Sequence, residues 1–196
     1  MEAFLVSTLA VAVGEIGDKT QLLALLLAAR YKKPIPIVLG ILVATLANHA
    51  LAGLFGHWVV SHIPTDLLRW ALGLSFLGIA IWTLIPDKVA EEGINEDHYG
   101  VFLLTCVTFF LAEIGDKTQL ATVALAAKYS NLPLVIAGTT LGMMIADIPA
   151  VFLGKIAAPN FPFNIVRSIA AAVFAVLGVL VLFGMSEKFY EQNALF

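Results

Sequence analysis

The sequence predicts an all-α integral membrane protein with six transmembrane helices arranged as two inverted three-helix repeats. Three observations predict it. The 196 residues are 60% hydrophobic and only 13% charged, with a mean hydropathy of +0.94, far from the roughly 45–50% apolar and 25% charged make-up of soluble domains. Apolar runs long enough to cross a bilayer, about 20 residues each, number six. An eight-residue string, Glu15-Ile16-Gly17-Asp18-Lys19-Thr20-Gln21-Leu22, recurs letter for letter from Glu113 to Leu120.

The runs fall at 4–29, 35–56, 67–85, 101–127, 132–153 and 165–184, each read as one spanning helix. Between them lie Arg30 to Pro34, the His57 to Asp66 stretch with Pro64, a polar 86–100 segment, Lys128 to Asn131, and the Gly154 to Asn164 stretch with Pro159 and Pro162; a tail begins at Ser186. Membrane β-strands would be shorter and half polar, so helices are expected. A net charge of -3 leaves no basic patch for nucleic acid. The single cysteine, Cys106, excludes an internal disulfide. Met1-Glu2 begins without a basic leader, so the first apolar run is expected to be retained as a helix.

A shift of 98 positions also superposes Tyr31 on Tyr129, Gly40 on Gly138, Ala52 on Ala150, Gly56 on Gly154, Pro64 on Pro162 and Arg69 on Arg167. The expected organisation is a first repeat over 1–85, an acidic cytoplasmic linker over 86–100 and a second repeat over 101–196. Three helices per unit is an odd number, so the second unit enters the membrane upside down, as in many secondary transporters with a midplane site. One side would carry Arg30, Lys32, Lys33, Lys88, Lys155 and Arg167, the other Arg69, Lys128 and Lys188. The positive-inside rule puts the richer side in the cytoplasm and both termini outside. The linker's Asp87, Glu91, Glu92, Glu96 and Asp97 read as a solvated connection, with cation gathering as the sharper alternative.

At about 1.5 Å per residue, Glu15 lies about 16 Å into the first helix and Glu113 about 18 Å into the fourth, near the middle of a ~30 Å hydrocarbon core. On a continuous helix Glu15 with Asp18, and Glu113 with Asp116, would share a face at i and i+3. Inversion would bring both pairs to one level. Unpartnered, four buried carboxylates would not stay ionised, because desolvation and mutual repulsion both penalise the charged form. A hard divalent cation with oxygen ligands, Mn²⁺, Ca²⁺ or Mg²⁺, would neutralise them. Four carboxylates and the two lysines Lys19 and Lys117 leave a charge of -2, matched by one such ion. Protons would compete for the same oxygens, and competition with alternating access makes a cation/proton antiporter without a cofactor.

Around the acids, Gly17 and Gly115 suit close packing or local unwinding. Thr20, Gln21, Thr118 and Gln119 would offer neutral oxygens to the ion or hydrogen-bond helix backbones. Lys19 and Lys117 are expected chiefly to neutralise Glu15 and Glu113 at i+4, with exchange against the cation as the alternative. On the second helix of each repeat, Asn48 and His49 correspond to Ala146 and Asp147. Asn48 and Asp147 are possible secondary ligands or proton carriers, Asp147 standing two residues before Pro149, while His49 reads as a packing residue. Cys106, Met143 and Met144 read as core.

The two motifs, Glu15-Ile16-Gly17-Asp18-Lys19-Thr20 and Glu113-Ile114-Gly115-Asp116-Lys117-Thr118, resemble the E-x-G-D-[KR]-[ST] signature of the Gdt-type membrane family, formerly uncharacterised protein family sixteen. The resemblance covers essentially the whole chain. It implies export of Mn²⁺, in some members Ca²⁺, from the cytosol in exchange for protons, with Glu15, Asp18, Glu113 and Asp116 binding the transported ion. The short length resembles the bacterial members and implies the plasma (inner) membrane. Two other mechanisms compete: a passive divalent cation channel through the carboxylate ring, and an intramembrane aspartyl protease using Asp18 and Asp116.

Overall fold

The computed structural model describes residues 1–85, 100–153 and 163–193. The acidic linker and its Lys88, and the 154–162 connection with Lys155 and Pro159, lie outside the described residues. Within them the chain is all helical, with eight helices and no strand: α1 (Glu2–Glu15), α2 (Lys19–Tyr31), α3 (Pro34–His62), α4 (Thr65–Thr83), α5 (Val101–Glu113), α6 (Lys117–Lys128), α7 (Leu132–Leu153) and α8 (Phe163–Asn193).

Local sequence chemistry sets most boundaries. Pro34 opens α3, where its missing N–H costs nothing. Pro64 is the N-cap of α4. The Asn131 side chain accepts the Leu134 N–H at the start of α7 (3.2 Å), the usual task of an N-cap amide. Two expectations fail here. The apolar runs 4–29 and 101–127 are not continuous helices; each is split in two at the repeated motif. The cause is Gly17 at φ +82° and Gly115 at φ +76°, a left-handed conformation that ends a right-handed helix and that glycine adopts without steric cost. In addition, α3 runs to His62 and α8 to Asn193, beyond the expected 56 and 184, since neither His57 nor Ser186 breaks a helix as proline does.

The helices interlock. The α1–α2 pair packs on α7, the α5–α6 pair packs on α3, α3 packs on α7, and α4 packs on α8. One apolar core joins Leu68, Leu72 and Phe76 of α4 to Leu125 of α6 and Phe174 of α8. A second joins Leu27 of α2, Ile37 and Ile41 of α3, Phe109 of α5 and Met144 of α7. Glycines let the backbones close up. A Cβ on Gly40 would lie 2.9 Å from the Phe102 carbonyl oxygen of α5, and one on Gly138 would lie 2.6 Å from the Phe4 carbonyl oxygen of α1. These are the same contact, displaced by 98 residues at both ends.

Two helices among the described residues, α3 and residues 132–152 of α7, are each long and apolar enough to cross a membrane. On α3, Ile37, Ile41, Ala44 and Ala52 are buried, yet Leu39, Leu42, Val43 and Leu46 on the other side are exposed. A helix apolar on both its inner and outer faces suits lipid as its outer neighbour.

Candidate metal centre

The two breaks put the motif acids at helix ends. Glu15 closes α1 and Asp18 is the N-cap of α2; Glu113 closes α5 and Asp116 is the N-cap of α6. The face-sharing expected of Glu15 with Asp18, and of Glu113 with Asp116, is therefore not how these acids converge. A tight turn brings them together instead: the Asp18 N–H donates to the Glu15 carbonyl (3.0 Å) and the Asp116 N–H to the Glu113 carbonyl (3.1 Å). The N-termini of α2 and α6, the positive ends of their dipoles, sit beside the carboxylates.

Neither aspartate caps its helix through its side chain. The glutamines do the local bonding: the Gly17 N–H donates to Gln21 Oε1 (2.9 Å) and the Gly115 N–H to Gln119 Oε1 (2.7 Å). Each glutamine's amide nitrogen then reaches the other half, Gln21 to the Ala146 carbonyl (3.0 Å) and Gln119 to Asn48 Oδ1 (3.2 Å). Asn48 in turn donates to the Phe110 carbonyl (3.0 Å) near the end of α5. Gln21, Gln119 and Asn48 thus pin the broken helices, a role the sequence offered for the glutamines as the alternative to ligation.

The threonine hydroxyls bond the glutamates of their own copies rather than helix backbones. Thr20 Oγ1 donates to the Glu15 carboxylate, and Thr118 Oγ1 to Glu113 Oε2 (2.9 Å). One oxygen of each glutamate is thereby fixed, while Glu15 Oε2 and Glu113 Oε1 are buried without a hydrogen-bond partner. Carboxylate oxygens of Glu15, Glu113 and Asp116, one from each, all lie within 4.8 Å of one another, and all three residues are buried. Among the described residues this is the group whose spacing suits a metal ion. Its all-oxygen donor set fits a hard divalent cation.

The lysines also depart from expectation. Rather than neutralising the glutamates of their own copies, they cross between halves. Lys19 Nζ lies 3.2 Å from Asp116 Oδ1, and Lys117 pairs with Asp18. The Lys19 side chain is 25% exposed and that of Lys117 only 3%. Asp18, expected as a fourth ligand, is paired with Lys117 and lies outside the three-acid group. Asp147 is fully buried in α7, close enough to Glu15 and Glu113 to feel their charges. His49 is fully buried with neither ring nitrogen bonded. Cys106 is partly buried and lines a shallow apolar pocket with Val43, Ala44 and Phe110.

An inverted duplication places each motif opposite its copy, but that each lysine crosses to the other copy's aspartate depends on the turn at the glycines, which helix spacing does not show.

The family model for "Divalent cation/proton antiporter GDT1" matches residues 3–91 and again residues 101–189. The chain belongs to this family. GDT1 relatives span nearly its whole length. A Vibrio cholerae protein named "Putative manganese exporter" is 49% identical, over 93% of this chain and 92% of its own. "GDT1-like protein sll0615" of Synechocystis is 30% identical over 92% and 96%, and "Divalent cation/proton antiporter GDT1" of Saccharomyces cerevisiae is 23% identical over 93% and 84%. No solved structure matches the chain. GDT1 proteins are transporters, so the protease reading of Asp18 and Asp116 falls away.

Proposed function

We propose that this chain exports a divalent cation, Mn²⁺ first and Ca²⁺ second, from the cytoplasm in exchange for protons. The observation that carries this is the buried meeting of Glu15, Glu113 and Asp116, acids from both copies of the motif, with Glu15 Oε2 and Glu113 Oε1 left without a hydrogen-bond partner. The relatives' names, "Putative manganese exporter" and "Divalent cation/proton antiporter GDT1", point the same way.

The transported ion is the substrate and no cofactor is needed. Glu15, Glu113 and Asp116 hold it, with Asp18 as a fourth acid that becomes available when Lys117 lets go. Threonine hydroxyls fix one oxygen of each glutamate, so the other is preorganised for the ion. Protons and the ion compete for those oxygens. Loading from one side with the metal and from the other with protons couples the two flows once access alternates.

The proposed topology has six crossings: α1 with α2, α3 and α4 in the first half, and α5 with α6, α7 and α8 in the second, inverted. Support comes from contacts repeated at a spacing of 98 residues: Lys19 on Asp116 with Lys117 on Asp18, Gln21 on Ala146 with Gln119 on Asn48, and Gly40 on α5 with Gly138 on α1. Lysine and arginine bias puts both termini outside the cytoplasm of a bacterial inner membrane.

Growth of a strain lacking the chromosomal copy, across a series of added cations, tests the reading. Sensitivity to Mn²⁺ should be rescued by the wild-type protein and not by Asp116→Asn. Full rescue by Asp116→Asn would overturn the assigned site. An imposed pH gradient should change Mn²⁺ flux into proteoliposomes; indifference to it would favour a channel.

A further inference from the structure

We propose, resting on the reading above, that Asp147 is a further binding residue of the same ion, one that holds the ion's water shell from the α7 side. Asp147 is 0% exposed and neither of its carboxylate oxygens has a hydrogen-bond partner. An acid inside an apolar helix without such a partner is costly and marks an ion path by default. The side chain stands within electrostatic reach of Glu15 and Glu113. Two of the three acids that group around the candidate ion therefore interact with the charge of Asp147.

The docking of α7 brings it there. Gly138 and Gly142 let the helix lie against α1, where a Cβ on either would come within 2.6 Å of a backbone carbonyl oxygen, that of Phe4 or Thr8. One turn beyond Gly142, the Ala146 carbonyl accepts the Gln21 side chain of the first motif. Asp147 follows directly.

The two halves, alike at the motif, differ at this place. The position 98 residues earlier is His49, on α3, and the residue before it is Asn48. On the α3 side a side chain, Asn48, receives Gln119. On the α7 side the backbone does that work at Ala146, and the neighbouring carboxylate is left over. An ion between the motifs consequently has a further carboxylate, Asp147, on its α7 side and an imidazole position, not an acid, on its α3 side.

Asp147 is not a member of the group whose oxygens lie within 4.8 Å of one another. An acid outside that group but within reach of its charges is placed for contact through water rather than for direct ligation. Hard divalent ions take about six or more oxygens, and the smaller ones keep several waters. A carboxylate that accepts a hydrogen bond from such a water sits about 4–5 Å from the metal. Three acids leave coordination places for water, and Asp147 has two buried acceptor oxygens with which to hold it.

The test uses the full-length protein in detergent and in proteoliposomes, with Mn²⁺ as probe and the variants Asp147→Asn, Asp147→Glu and Glu15→Gln. Asp147→Asn should raise the KM for Mn²⁺ roughly tenfold, as loss of a charge-assisted hydrogen bond predicts. Vmax should stay within about twofold of wild type. The Mn²⁺ concentration that raises the melting temperature should climb by the same factor, with metal-free melting unchanged, and Asp147→Glu should recover part of the affinity. An unchanged KM and thermal shift in Asp147→Asn, or a lower Vmax at unchanged KM, would overturn the assignment. If Glu15→Gln abolishes Mn²⁺ binding and Asp147→Asn leaves it intact, only the role of Asp147 fails. If Glu15→Gln binds and transports as wild type does, the shared site itself fails.

Discussion

Replacing Gly115 by alanine separates a broken helix from a continuous one by the sign of its effect. Gly115 has φ +76°, and a Cβ built on it meets no atom within 4 Å. The substitution therefore adds backbone strain with no clash. A side-chain-bearing residue in the left-handed region costs roughly 1–2 kcal/mol. In a domain of this size that corresponds to a fall in melting temperature of about 2–8 °C. Were the 101–127 segment one unbroken helix, the same change would remove a helix-interior glycine and stabilise by about 0.8–1.0 kcal/mol. Thermal unfolding of the purified protein in detergent decides between them. Gly115→Asn should be milder than Gly115→Ala, since asparagine tolerates this region better, and Gly115→Val should be worse. A rise in melting temperature for Gly115→Ala would refute the broken helix and with it the placement of Glu113 and Asp116 at helix ends.

The remaining predictions concern pairs and packing. Lys117→Ala should destabilise by about 3–5 kcal/mol because it removes the buried ion-pair partner of Asp18, whereas Lys19→Ala, whose side chain is 25% exposed, should cost clearly less in the same unfolding assay. Thr118→Val frees Glu113 Oε2, bonded at 2.9 Å, and should raise the KM for Mn²⁺ roughly tenfold or more, the worth of one hydrogen bond to a charged group. Gly138→Ala, whose Cβ would stand 2.6 Å from the Phe4 carbonyl oxygen, should cost about 1–3 kcal/mol by overpacking. Gly78→Ala on α4, where nothing lies within 4 Å, should be neutral or stabilising by up to about 1 kcal/mol.

Much of this arrangement was legible in the sequence because hydropathy and repetition are long-range signals. The apolar runs located the helices that carry the site, and the two copies of the motif placed acids in mid-run. Duplication with inversion brought acids of the two copies to one level, but it led to four acids meeting, whereas the group is Glu15, Glu113 and Asp116, with Asp18 held by Lys117. What the string Glu-Ile-Gly-Asp did not disclose was its conformation: a glycine in an apolar run serves equally as a packing residue or as a left-handed helix stop. That ambiguity hid the breaks, and the breaks decide the rest. With Asp18 and Asp116 at helix N-termini, the lysines that follow them are directed across to the other half. The hydroxyls of Thr20 and Thr118 then meet the glutamates of their own turns. Asp147 stood out as a costly mid-helix acid, but its nearness to Glu15 depends on how closely α7 packs on α1, which only the packing reveals.

Anomalous scattering from crystals grown with Mn²⁺ tests the central idea most directly. A single manganese peak should lie about 2.0–2.6 Å from carboxylate oxygens of Glu15, Glu113 and Asp116 together. Two separate peaks, one at each motif, or a peak that touches acids of one half alone, would contradict a site shared between the two halves.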